Sequence, residues 1–178
     1  MHFANSVTIR RPPNEVFAFL VDPANIPKWN YAIDSARQVS AGPLGVGTRI
    51  QQTRSVPRPT TEELVITELV PERRMVLEGD IGPLSGTLIY QIEEVPEGTR
   101  LTNTADLSGR GPLRLLAPLA SSRVRDAVAA NLDKLRGLLE SSAQGRWATR
   151  TTMSRVSGRG YATAGRAPGP GAPPLDGC

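Results

Sequence analysis

Histidine and cysteine are almost missing from this chain of 178 residues, and that scarcity narrows its chemistry before any pattern is read. The only histidine is His2 and the only cysteine is Cys178. Ser-His and Cys-His catalysis, imidazole metal sites and an intrachain disulfide therefore have no material to work with. No metal and no cofactor is implied. Gly45-Val46-Gly47 is a lone GxG between two expected strands, whereas phosphate cradles lead into a helix, so it reads as a turn. No apolar run approaches the roughly 18 residues of a membrane span. The opening MHFANSVTIRR lacks the apolar stretch of a signal peptide. With a single cysteine, this points to a soluble, cytoplasmic protein.

Paired carboxylates are scarce as well. Glu62-Glu63 and Glu93-Glu94 are adjacent on expected strands, so their side chains leave on opposite faces and cannot converge on one atom. They read as solvated strand edges. An enzyme is therefore the less favoured class.

Charge is present but unevenly placed. Residues 1–142 hold 16 basic and 16 acidic side chains, while 143–178 hold Arg146, Arg150, Arg155, Arg159 and Arg166 against Asp176 alone, so the net +4 belongs to the tail. A nucleic-acid-binding fold carries its own basic face, so no specific nucleic-acid partner is expected. The tail 143–178 is rich in Gly, Pro and Arg with no apolar period, and reads as disordered. Trp147 and Tyr161 are its candidate anchors, and weak contacts with anionic surfaces are the partner its charge suggests. The domain is expected over 1–142.

The longest single element is Pro112 to Ser142, where Val124, Val128, Leu132, Leu135 and Leu139 stack on one stripe of a helix. Pro112 suits a first helical position, and Pro118 predicts a kink or a fresh start. Before it, Phe3, Val7 and Ile9 alternate with Ala4, Ser6 and Thr8, predicting a strand that stops at Pro12-Pro13. A short helix over Asn14 to Val21 follows, with Phe17, Phe19 and Leu20 as core, and a second begins at Asp22-Pro23. Six strand-length runs then span Ile33 to Ser108, split by Gly42–Gly47, Pro57–Pro59, Pro71-Glu72, Gly82-Pro83 and Pro96–Gly98. Short gaps favour hairpins and an antiparallel meander.

This order, with Pro12-Pro13, Glu15-Val16-Phe17, Asp22-Pro23 and Trp29 in one stretch, resembles the START-like superfamily, also called Bet v 1-like or SRPBCC proteins. Within it the chain looks most like the polyketide cyclase/dehydrase and lipid-transport group. The turns at Gly45–Thr48, Pro71–Arg74 and Gly98–Arg100, and the helix ending Leu138 to Glu140, match the same pattern. The resemblance covers about residues 3–142. It implies an α+β helix-grip fold: a seven-stranded antiparallel curved sheet around the long C-terminal helix, with two short helices after the first strand. It also implies a cavity for a lipid, polyketide or isoprenoid-like molecule, although a fold does not fix its ligand.

The candidate ligand-binding residues follow from strand parity. Ile50, Gln52 and Arg54 share one strand face, Leu88 and Tyr90 another, and Asn103 lies between Leu101 and Ala105. Facing inward, they would place a few donors in an apolar pocket. The opposite register would put Arg54 in water. Val124, Val128 and Asn131 are the helix's candidates, and Trp29 and Tyr31 are expected at the cavity mouth. The leading reading is a noncatalytic binder or carrier of a hydrophobic small molecule. The alternatives are a cyclase/dehydrase-type enzyme, with Arg54 or Tyr90 polarising an oxygen, and a protein-interaction module of the same superfamily.

Overall fold

Strand parity decides the first element. β1 (His2–Ile9) buries Phe3, Val7 and Ile9 and turns Ala4, Ser6 and Thr8 outward. Pro12 and Pro13 cannot continue the ladder, and Pro13 opens α1 (Pro13–Val21), where its missing N–H is no loss. Asp22 accepts from Ala24 N at 3.0 Å and caps a 3-10 turn at Pro23–Asn25. α2 (Ile26–Trp29) follows directly. The computed structural model describes residues 1–56, 58–109 and 117–156, and the chain divides into two units, Met1–Gln144 and Gly145–Cys178.

The strands continue as β2 (Ile33–Gln38), β3 (Arg49–Arg54), β4 (Thr60–Val70), β5 (Arg74–Ile81), β6 (Leu84–Val95) and β7 (Gly98–Gly109). They form one antiparallel sheet in the order β1-β7-β6-β5-β4-β3-β2. Each hairpin therefore lays down the next neighbour, and β1 closes on β7. α3 spans Ala117–Val156; the residues that would decide between a kink and a fresh start at Pro118 lie outside the described ones. Among the residues whose burial is described the stripe runs to Leu139, and the helix continues to Val156. Residues 143–156, expected to be irregular, are thus helical. The expected start at Pro112, the side chain of Trp147, and Tyr161 with the tail beyond Val156 lie outside the described residues.

Two glycines set the curvature. Gly79 and Gly86 face each other across β5 and β6, with φ of 152° and 155°. A Cβ would lie 2.2 Å from the Glu63 carbonyl oxygen at Gly79, and 2.0 Å from that of Asp106 at Gly86. Neighbouring backbones approach where no side chain intervenes, and the sheet coils there around the helix. The result is the expected helix-grip arrangement.

The core occupies one end of this grip. Leu132, Leu135 and Leu139 pack with Val7, Ile9, Val16, Leu20, Leu101 and Ile92. Phe17 and Phe19, expected in the core, are only half-buried, because Val16 and Leu20 form the inner face of α1. α3 is tied to β1 where Glu140 accepts from Arg10 N and Arg10 Nη2, each at 3.0 Å.

Gly86→Ala is expected to destabilise the protein by more than about 1 kcal/mol. Glu72, at φ 59° in the β4–β5 turn, should act in the opposite sense, with Glu72→Asn stabilising by about 0.5 kcal/mol. Thermal melts of the two variants check both signs. The hydrogen bond from Arg10 N, then the Arg10 side chain and Arg136, hold the Glu140 carboxyl below its ordinary value. Its contribution is therefore present above the ordinary carboxylate value and lost as pH falls through the lowered one. Glu140→Gln should be less stable than the parent at neutral pH, with the difference closing in acid, as denaturant midpoints across pH would report.

Candidate functional site

The stripe of α3 changes size along its length. Leu132, Leu135 and Leu139 are buried in the main core, whereas Val124 and Val128 are only half-buried, packed on Phe3, Ala105 and Leu107, and with Ala127 leave space beside them. Between them and the inner faces of the strands lies a cavity of about 640 Å³, within the range of about 300–1,000 Å³ typical of small-molecule sites. Its floor is apolar, with Leu64 on β4, Met75 and Leu77 on β5, Leu88 on β6, and Ala105 and Leu107 on β7. Tyr31, Val56, Pro83 and Arg123 line it and are exposed, which marks where it meets the surface.

Parity places the polar side chains. Gln52 and Arg54 of β3 point inward and line one end of the cavity. Directly across from Gln52 is Glu62 of β4, whose side chain is 0% exposed. Its Oε1 accepts from Arg54 Nε at 2.5 Å and from Gly82 N, and its Oε2 accepts from Gln52 Nε2 at 2.6 Å and Arg54 Nη2 at 3.2 Å. Gly82 can donate because it opens the two-residue turn between Ile81 and Leu84 with φ of 62°, the backbone of a type II′ hairpin. The inward register is thus the one that gives Arg54 a buried partner.

Farther in, Tyr90 and Asn103 face each other across β6 and β7 and both line the cavity. Burial raises the Tyr90 phenol well above its ordinary value, so the hydroxyl stays protonated. No described residue bonds it. Asn103 Nδ2 donates to Ile89 O at a long 3.5 Å. Asn131 lines the cavity too, but its amide is occupied: Nδ2 donates to Asn30 Oδ1 at 3.1 Å and Oδ1 accepts from Tyr31 N at 3.4 Å. It clamps α3 to the segment after α2.

The family model for polyketide cyclase/dehydrase and lipid transport matches residues 1–140. The chain belongs to that family. No curated protein matches it significantly in sequence. Solved structures carry the same fold. A conserved protein from Geobacillus kaustophilus is 14% identical with a TM-score of 0.65, covering 80% of this chain and 97% of its own. A Thermus thermophilus protein is 18% identical with a TM-score of 0.64, covering 80% and 99%. The crystal structure of Ara h 8.0201 is 17% identical with a TM-score of 0.60, covering 79% and 98%. The helix-grip fold of the Bet v 1-like proteins is therefore the fold of this chain.

Against the expected site residues, the structure brings Gln52, Arg54, Leu88, Tyr90, Asn103, Val124, Val128 and Asn131 into the lining of one cavity, with Trp29 and Tyr31. Ile50 is not among them: it is 2% exposed and packs in the closed core opposite Leu64. Tyr31 stands at the mouth, 54% exposed, whereas Trp29 is buried among core residues and its indole N–H has no acceptor among the described residues. Glu62 is the residue that sequence reasoning misplaced. It is not a solvated strand edge, although Glu63 is: that carboxylate lies outside and pairs with Arg49 at 2.7 Å. Glu62 stands two and four positions before Leu64 and Ile66, so the parity that buries them buries it. Among the described residues no group of three or more His, Cys, Asp or Glu comes together.

Glu62→Ala, which strands Arg54 without its partner, is expected to cost about 3–5 kcal/mol. Replacing both, as Arg54→Met with Glu62→Leu, should leave stability within about 2 kcal/mol of the parent. Urea denaturation of the single and double variants separates the two outcomes.

Proposed function

We propose that the protein binds or carries a hydrophobic small molecule, of lipid, polyketide or isoprenoid type, in the cavity between α3 and the sheet. The observation that carries this reading is the cavity, about 640 Å³ behind walls of Leu, Val, Met and Phe. Apolar side chains that face this space lack packing partners on one side, which a guest of matching shape would supply. Water is a poor filler where so few polar groups can hold it. The guest is assigned to Leu88, Val124 and Val128 for contact, to Gln52, Arg54, Tyr90 and Asn103 for orientation, and to Tyr31 for entry. Trp29 and Asn131 shape the wall.

Turnover of a polyketide-like guest is the second reading, favoured by the donors that Arg54 and Tyr90 turn to the cavity. Carriage is better supported, since no Asp, Glu, His or Cys is among the described cavity-lining residues to take a proton. The open space between α3 and the sheet favours a small-molecule guest over the protein-interaction reading. No described helix is long and apolar enough to cross a membrane, and a cytoplasmic location belongs to the same proposal.

Val128→Trp places a large ring in the cavity. It should weaken binding of Nile red by at least about tenfold while holding or raising the melting temperature, because the ring fills space rather than overpacking a core. Native mass spectrometry after incubation with a lipid extract should retain an adduct on the parent, and the guest recovered should be unaltered. Failure of the parent to retain any apolar molecule would end the reading. A guest recovered lighter by one water would move it to catalysis, in which case Arg54→Ala should abolish the conversion.

A further inference from the structure

We infer that the cavity selects an uncharged guest bearing a hydrogen-bond-accepting oxygen and discriminates against a carboxylate, because the cation at its polar end is already neutralised from within. The inference rests on the binding function proposed above and names the class of guest.

The Glu62 carboxylate takes two donors on each oxygen: Arg54 Nε and Gly82 N on one, Gln52 Nε2 and Arg54 Nη2 on the other. That fills the acceptor capacity of a carboxylate. Glu62 consequently has no lone pair left for a guest and is no free base. Arg54 is different. Its guanidinium offers five N–H donors, and Glu62 engages only Nε and one hydrogen of Nη2. Nη1 and the second hydrogen of Nη2 have no acceptor among the described residues, and Arg54 lines the cavity with Gln52 and Gly82. Donors remain on this wall while the charge is spent.

Electrostatics then decides between guests. Arg54 and Glu62 sum to zero, so a guest carboxylate would enter as an uncompensated charge in an apolar space beside a buried carboxylate, which is strongly unfavourable. A ketone, ester or amide oxygen accepts from the same N–H groups at no such cost. Among the described lining residues the other side-chain cation is Arg123, which is exposed at the mouth, and the Met1 ammonium donates to Leu107 O. Deeper in, the protonated Tyr90 hydroxyl adds a neutral donor and no charge.

Titration of the full chain at neutral pH with methyl octyl ketone, decanoate and decane, each competing against Nile red, tests this. The ketone should bind at least about tenfold more tightly than either decanoate or decane. Glu62→Gln, which leaves Arg54 uncompensated, should shift preference to decanoate. Arg54→Met with Glu62→Leu, which is expected to fold whatever Glu62→Gln does, should bind ketone and decane alike. Decanoate binding as tightly as the ketone in the parent overturns the inference and leaves the cavity function standing. A ketone preference that survives in the double variant overturns the assignment to this pair. Nile red and all three probes failing to bind would remove the binding function and this inference with it.

Discussion

A curved sheet and a straight helix can be packed solid only where the helix side chains are long enough to span the gap. In this protein they are long enough for half the distance. From Leu132 to Leu139 the stripe touches the sheet and α1, and there the core is closed. From Val124 to Val128 the same stripe carries side chains shorter by one or more carbons, which pack against Phe3, Ala105 and Leu107 without filling the space beside them. The cavity is the consequence of that change in side-chain length. Gln52, Arg54, Tyr90, Asn103 and Asn131 stand on its wall, while Asn25, Thr48 and Thr99 are buried elsewhere.

Placing Arg54 and Glu62 at that end is the costly step of the design. Two charges taken from water gain little over an apolar pair unless every lone pair and proton is met. On the carboxylate side this condition is fulfilled by two side chains, Arg54 and Gln52, and by the turn backbone at Gly82, which adopts a positive φ. On the guanidinium side it is not. The asymmetry turns a structural ion pair into a surface that donates hydrogen bonds without presenting net charge.

Much of this was legible in the sequence, for identifiable reasons. Period-two alternation gives the inner faces of β3, β6 and β7, so Gln52, Tyr90 and Asn103 could be aimed correctly once the helix stripe required something to cover. Depth was not legible, because parity says which face a side chain takes and nothing about how far along the grip it sits. Ile50 and Arg54 share a face, yet one lies in the closed core and the other on the cavity. Trp29 lies deeper than a place at the mouth for the same reason. Glu62 was lost differently. Treating Glu62-Glu63 as a pair hid the fact that each belongs to its own face, one with Leu64 and Ile66 and the other with Arg49.

The closed end and the open end also answer to different constraints. At the closed end, Leu132, Leu135 and Leu139 need only apolar partners of about the right volume, and many sequences supply those. Relatives 14% and 18% identical therefore keep the fold. At the open end a substitution changes the shape and donors of a space that does not hold the fold together, so guests can change while the grip persists. A buried ion pair is the exception on that wall, since either member alone is destabilising and the two must be kept or replaced together. Such a pair, at the boundary between what folds the chain and what receives its guest, ties the choice of guest to the stability of the protein.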